Sequence, residues 1–123
     1  MDEVYPDYPD VVVGVVVVNC TNPMKLATFW SEVLQREIVA ANDDWVNLVW
    51  SPRFAVGMSF QRVPETKVGT NRLHLDVFCT DVEATARKVE ELGGRRAEGF
   101  GGTALVMRDV EDNEFCLIPS PGG

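Results

Sequence analysis

The stretch Arg72-Leu73-His74-Leu75-Asp76-Val77-Phe78-Cys79-Thr80 decides the predicted fold, and it contains the only histidine of the chain. It is an apolar, alternating segment that ends in Cys-Thr-Asp. A similar segment lies 59 positions earlier and ends in Cys20-Thr21-Asn22. A helical pattern follows each copy. Repetition at a constant spacing indicates that one supersecondary unit has been duplicated.

The first copy predicts one strand, one helix and three further strands. Residues 11–18 are almost entirely valine, which is typical of a central strand buried on both faces. Asn22-Pro23 predicts a helix start, because Asn caps free amides and Pro fits the first turn. Helical spacing of apolar residues continues to about Gln35. Residues 37–40, 45–50 and 54–63 then alternate as short strands, with turn signals at 42–44 and at Ser51-Pro52.

The second copy repeats this order after a polar connection at residues 64–71. The strand at 72–79 is followed by Thr80 and Glu83 at capping-box spacing, and Gly93-Gly94 ends the predicted helix. Residues 95–97, 102–108 and 114–119 read as three strands, with turns at 99–101 and 109–113. We therefore predict a single domain at 11–119, with module one at 11–66, module two at 70–119, and tails at 1–10 and 120–123.

Composition excludes several classes of partner. With 123 residues, the chain can bury one core without metals or disulfides. Its net charge of −8 argues against nucleic acid and anionic membranes, both of which favour basic surfaces. The three widely spaced cysteines predict reduced thiols and a cytoplasmic protein. The longest apolar run is too short to span a bilayer.

Four segments carry a resemblance to a known family: Asn22-Pro23-Met24-Lys25-Leu26-Ala27-Thr28-Phe29-Trp30, Phe60-Gln61-Arg62-Val63-Pro64-Glu65, Asn71-Arg72-Leu73-His74-Leu75-Asp76-Val77 and Asp109-Val110-Glu111-Asp112-Asn113-Glu114-Phe115-Cys116-Leu117. With the repeat, they resemble the glyoxalase-like domains of the vicinal oxygen chelate superfamily, related to glyoxalase I, bleomycin-resistance proteins and extradiol dioxygenases. The resemblance implies an α+β fold in which two βαβββ modules form an open, curled, eight-stranded mixed sheet with the helices on its outer face. It also implies a homodimer and a small-molecule ligand in the enclosed cleft.

The resemblance further implies four metal-ligand positions, of which this chain keeps one histidine. His74 matches the position in module two, and its repeat partner is Val15. Cys116 stands where metal-binding members carry glutamate, and the remaining position falls on Gly57 or Met58. This set does not suit a hard cation. We therefore predict no cofactor and disfavour a divalent metal.

The alternation of side chains between the two faces of each strand predicts which residues form the site. His74 shares a strand face with Asp76 and Phe78, and a neutral imidazole in the cleft would act as general acid or base; the alternative is a histidine without a role. Glu114 and Cys116 share a face of the last strand. Glu114 is a second acid/base candidate or, alternatively, part of an ion pair, and Cys116 is more readily explained as a small buried side chain than as a nucleophile. The remaining candidate ligand contacts are Ser59 and Gln61 on the fourth strand and Trp50, since either Trp45 or Trp50 faces the cleft if their strand is regular.

Two functions remain open from the sequence. The first is a metal-independent lyase or isomerase that uses His74, with Glu114, for proton transfer. The second is a non-catalytic protein that sequesters a cationic or aromatic compound, as the resemblance to bleomycin-resistance proteins implies. An interaction module with a vestigial cleft is a third class and would bind no ligand.

Overall fold

The computed structural model describes residues 15–50, 56–71, 73–98 and 104–120. Several predictions fall outside these ranges: the tail at 1–10, residues 11–14 of the first strand, the turn at Ser51-Pro52, the start of the fourth strand at 54–55, residue 72 of the strand at 72–79, the loop at 99–101, residues 102–103 of the strand at 102–108 and the last three residues of the C-terminal tail.

The described residues form the predicted order of elements twice. The first module consists of strand β1 Val15–Cys20, helix α1 Pro23–Leu34, and strands β2 Ile38–Ala41, β3 Trp45–Leu48 and β4 Gly57–Arg62. The second consists of strand β5 Leu75–Cys79, helix α2 Val82–Glu91, and strands β6 Arg95–Arg96, β7 Leu105–Arg108 and β8 Glu114–Pro119. The α+β class and the two βαβββ modules are thus confirmed.

Each module has its own four-stranded mixed sheet. The strand orders are β1-β4-β3-β2 and β5-β8-β7-β6, so the two sheets have the same topology. In each module the first and last strands pair in parallel and the remaining neighbours are antiparallel. The eight strands are therefore divided equally between two open sheets.

The position of β1 differs from the prediction. We predicted a central strand buried on both faces, but β1 lies at the edge of its sheet, and this prediction is wrong. Val18 packs against the core, whereas Val15 is 50 % and Val17 44 % exposed. The valine side chains of β1 therefore lie in two environments: those on one face of the strand pack towards the core, and those on the other face are exposed.

Helix α1 begins as predicted. The Asn22 side chain accepts a hydrogen bond from the N–H of Lys25, and Pro23 occupies the first turn, where a missing N–H costs nothing. Leu26, Ala27 and Trp30 are buried, and the helix packs against β3 and β4 of the first sheet. The amphipathic pattern therefore predicted the packing face of this helix.

Helix α2 has a different cap from the predicted one. The side chain of Asp81, not that of Thr80, accepts the hydrogen bond from the N–H of Ala84, at 3.0 Å. Glu83 also does not close a capping box, because its carboxylate binds the guanidinium of Arg96. Both Asp81 and Thr80 carry a side-chain oxygen that can cap a helix, and aspartate is the more favoured of the two at this position.

The two glycines after α2 have separate roles. Gly93 has a φ of +105°, which L side chains rarely adopt. At Gly94 a Cβ would lie 2.7 Å from the carbonyl oxygen of Arg108 and 2.6 Å from the Val89 side chain. The first glycine therefore permits the turn, and the second permits close packing between α2 and β7.

Contacts between the modules join helix α1 and its entry to β8 and the turn before it. The Trp30 ring on α1 packs edge-on against Phe115 on β8, with 4.6 Å between ring centroids. Its Nε1 donates to Asp109 Oδ2 at 3.0 Å. The Glu111 carboxylate accepts hydrogen bonds from the N–H groups of Thr21 and Asn22, at the entry to α1. The turn before β8 is thereby joined to the first module. Among the described residues, no helix is long and apolar enough to cross a membrane.

Candidate functional site

The histidine directly precedes β5 and lies on the side of that strand that points away from the core. Leu75, Val77 and Cys79 pack against the core cluster, so alternation directs His74, Asp76 and Phe78 to the opposite face. His74 Nε2 lies 3.2 Å from Asp76 Oδ1. This contact confirms that the two side chains share a face. Phe78, two residues further on, is 60 % exposed.

Cys116 lies directly beside Asp76, because these residues are partners in the parallel pairing of β5 with β8. The donor atoms of His74, Asp76 and Cys116 all lie within 4.8 Å of one another. Burial, and then the neighbouring Asp76 carboxylate, raise the pKa of the Cys116 thiol above its usual value. The thiol is therefore protonated at neutral pH when it has no cationic partner, and its description as a small buried side chain fits better than that of a nucleophile.

Glu114 has a different environment from that of a free catalytic carboxylate. It is buried and lies 3.3 Å from Lys67 Nζ and 3.0 Å from an Arg108 guanidinium nitrogen, and it accepts the N–H of Asn71 at 3.0 Å. Burial alone would raise the pKa of Glu114, but the hydrogen bonds and the Lys67 charge lower it overall. A carboxylate held in this way is a weak proton acceptor, so its geometry matches the ion-pair alternative. Its catalytic role stays a prediction.

The candidates on the first sheet form a separate polar group. Met58 and Phe60 are buried in the core, so Gly57, Ser59 and Gln61 lie on the opposite face of β4, as alternation predicts. Ser59 is itself buried, and its hydroxyl donates to Asn47 Oδ1 at 2.6 Å. Gln61 is exposed.

Trp45 joins this group, whereas Trp50 does not. Trp45 donates from Nε1 to the same Asn47 oxygen as Ser59. Trp50 lies beyond the end of β3 and is 58 % exposed. Our choice of Trp50 assumed a strand that continued to residue 50. The alternation of buried Val46 and Leu48 in β3 is the signal that identifies Trp45.

A cavity of about 600 Å³ lies between the two modules and is lined by residues of both. Its lining includes Val16, Val18 and Asn19 from β1, and Asn71, His74 and Leu75 from the second module. Glu114 also contributes to the lining. The side of the cavity formed by the first module is therefore mainly apolar, and the side formed by the second module carries the imidazole of His74. Its size is within the range of pockets that hold small organic molecules.

Comparison with known proteins identifies the family. Residues 15–118 match the glyoxalase-like domain. The chain belongs to the glyoxalase-like domain family. No curated protein matches the sequence. The resemblance that the sequence motifs indicated is therefore confirmed for almost the whole domain.

Solved structures share this fold at low sequence identity. A glyoxalase/bleomycin resistance protein/dioxygenase family enzyme from Burkholderia phytofirmans superposes with a TM-score of 0.73 at 12 % identity, over 89 % of this chain and 98 % of that one. A fosfomycin resistance protein from Listeria monocytogenes, complexed with Mn(II) and sulfate, gives 0.73 at 8 % identity over 93 % of each chain. The bleomycin-binding protein of Streptomyces verticillus, complexed with copper(II)-bleomycin, gives 0.61 at 14 % identity, over 91 % of this chain and 98 % of that one. These likenesses establish the fold and leave the ligand open.

The family's four-position metal arrangement does not fit this glyoxalase-like domain. Val15 and Gly57 are direct partners across β1 and β4, and neither has a side-chain donor. Met58, the alternative to Gly57, is buried in the core on the other face of β4. In the second module Cys116 supplies sulfur where a hard cation prefers oxygen. We therefore derive no catalytic step through a metal held by both modules.

Proposed function

We propose that this protein binds a small organic molecule in the cavity between β1 and β5, and that His74 exchanges a proton with it in a metal-independent lyase or isomerase reaction. The proposal rests on the position of His74, which lines this cavity and whose Nε2 lies 3.2 Å from Asp76 Oδ1, outside the lining. Asp76 can accept a hydrogen bond from the Nε2–H of the ring and fix its orientation. An oriented imidazole is the commonest general acid or base near neutral pH.

The rest of the cavity supports binding of an apolar ligand with few polar groups. Valines of β1 line one side, and Asn19 and Asn71 supply amide donors and acceptors. Glu114 is neutralised by Lys67 and Arg108, so proton transfer rests on His74 in this proposal.

Sequestration without reaction is the second candidate, and a specific surface favours it. Phe78 is 60 % exposed beside the Asp76 carboxylate, and the chain has a net charge of −8. An aromatic ring next to a carboxylate suits a flat, cationic compound. The bleomycin-binding protein of S. verticillus, which shares this fold, binds copper(II)-bleomycin.

A thermal-shift screen of small organic molecules, followed by a turnover assay, separates the two functions. A ligand at about 100 times its Kd should stabilise the protein by about 2.7 kcal/mol. We expect the wild type to consume the strongest binder, and His74→Gln, which keeps a hydrogen-bonding side chain, to lose at least about a hundredfold in rate while still binding.

The control is Lys88→Ala on the exposed side of α2, which should behave as wild type. If the wild type binds the ligand and leaves it unchanged over hours, the protein is a sequestering binder. If His74→Gln consumes the ligand at the wild-type rate, proton transfer by His74 is wrong.

The proposal also includes the oligomeric state of the protein and its location in the cell. We propose a homodimer, because the edge strands β1 and β5 leave Val15, Val17 and Phe78 exposed, and burial of these side chains would stabilise an interface. The three free cysteines favour the cytoplasm. Sedimentation equilibrium should give twice the chain mass of 13.6 kDa, and a mass of one chain at micromolar concentration would contradict the dimer.

A further inference from the structure

Three potential metal donors converge on one face of the second sheet. An imidazole, a carboxylate and a thiol lie within 4.8 Å of one another, on His74, Asp76 and Cys116. The first two side chains are about half exposed, whereas Cys116 is buried in the strand beside them. From this geometry we infer that the second module alone binds one Zn²⁺ ion through His74, Asp76 and Cys116.

The donor set selects zinc over harder cations. Mn²⁺, Mg²⁺ and Ca²⁺ favour sites made of oxygen ligands, whereas a thiolate with an imidazole and a carboxylate suits the borderline-soft Zn²⁺. Tetrahedral zinc with bonds of about 2.0 to 2.3 Å requires donors about 3.5 Å apart. Zinc binding therefore requires the half-exposed His74 and Asp76 side chains to move closer to the buried sulfur. The fourth position then faces the open side of the sheet and is accessible to water.

Binding must remove a proton from Cys116. The S–H bond of the thiol breaks, a Zn–S bond forms, and the proton passes to solvent, so the charge of the site increases by one. The divalent ion supplies the positive charge that this buried thiol otherwise lacks, and coordination deprotonates a thiol outright. Affinity should therefore increase as the pH rises.

This site shares His74 and Cys116 with the four-position arrangement implied by the family resemblance, but its third donor is Asp76, which occupies none of those positions. Val15 and Gly57, which pair across β1 and β4 in the first module, supply no side-chain donor. The inference also stands apart from the proposed function, because ion binding requires no organic ligand. The two uses of His74 exclude each other: a ring nitrogen bound to zinc is not available to a proton, so zinc should inhibit any His74-dependent turnover.

Titration with zinc chloride tests the inference directly. Chelator-treated protein is titrated by calorimetry, bound zinc is counted by elemental analysis, and Co²⁺ is added separately as a spectroscopic probe. We expect one zinc per chain and a thiolate-to-cobalt charge-transfer band in the near ultraviolet. Loss of an outer-shell partner already costs about 10- to 100-fold in metal affinity, so Cys116→Ser and Asp76→Asn should each weaken binding at least tenfold.

Cys79→Ser is the matched control, because Cys79 lies on the other face of β5 and packs towards the core. It should keep both the affinity and the cobalt band. Circular dichroism checks that each variant is folded, and Asp76→Asn changes an exposed residue, so it remains informative if Cys116→Ser unfolds. Absence of binding by the wild type would overturn the inference, as would a wild-type affinity in Asp76→Asn or a cobalt band in Cys116→Ser.

Discussion

Asp109→Ala is expected to lower the free energy of unfolding by about 3 kcal/mol, because it removes the shared acceptor of a buried hydrogen-bond network. The Asp109 carboxylate accepts hydrogen bonds from Trp30 Nε1, from the N–H groups of Glu111 and Asn113, and from the Asn113 side chain. Burial raises the pKa of Asp109, and these donors oppose that shift. Alanine would leave the donors unsatisfied between the two modules.

Urea denaturation at neutral pH measures this loss. Asp44→Ala is the matched control, since Asp44 is exposed and has only a weak surface ion pair with Arg62, so its effect should be within about 0.5 kcal/mol. A loss of less than 1 kcal/mol in Asp109→Ala would mean that the network contributes little to joining the modules.

Glu114→Gln is expected to destabilise the protein by about 2 kcal/mol at pH 7, with an effect that disappears in acid. Glutamine keeps an acceptor for the N–H of Asn71, but it leaves the Lys67 and Arg108 charges without their anion. Removal of one partner of a fully buried ion pair typically costs more than this, and the partial exposure of these two cations reduces the penalty.

The pH dependence follows from the direction of the Glu114 pKa shift. Its pKa is lower in the folded protein than in the unfolded chain, where glutamate titrates near about 4.3. The stabilisation is therefore fully present above the unfolded pKa, and it is lost as the pH falls through the folded pKa. The pKa of Asp109 shifts in the opposite direction. The informative quantity is therefore the difference in free energy of unfolding between the wild type and Glu114→Gln, because Asp109 is present in both.

Urea denaturation from pH 7 to below pH 4 should show this difference shrinking towards zero. Glu65→Gln, at an exposed position in the same connection, should show no such difference. A constant difference between wild type and Glu114→Gln across the acid range would contradict the ionic role of Glu114.

Local patterns predicted most of the secondary structure and the faces of the strands. Period-two alternation placed His74 with Asp76, and the bounds of β8 agree with the predicted strand at 114–119. The cap at Asn22 was predicted because its signal is complete within four residues. Each of these features depends on neighbours in sequence, which is why the sequence could supply them.

Features that depend on distant pairing could not be predicted in this way. A valine-rich segment suits an edge strand or a central strand, and only the pairing partner of β1 distinguishes them. The register that brings Cys116 beside Asp76 joins residues 40 positions apart. Lys67 and Arg108 likewise reach Glu114 through the fold. The ion pair at Glu114 and the convergence at His74 are therefore tertiary properties.

Ligand-induced changes in backbone amide chemical shifts test most directly whether the space beside His74 is the binding site. Isotope-labelled protein is titrated with the strongest ligand from the thermal-shift screen, with and without His74→Gln. We expect the largest shifts at residues 15–19 and 73–78 and at the start of β8, and shifts in the same segments for the variant, which still binds the ligand. Large shifts confined to the outer surfaces of α1 and α2, with β1 and β5 unchanged, would contradict a ligand site in the cavity between the two sheets.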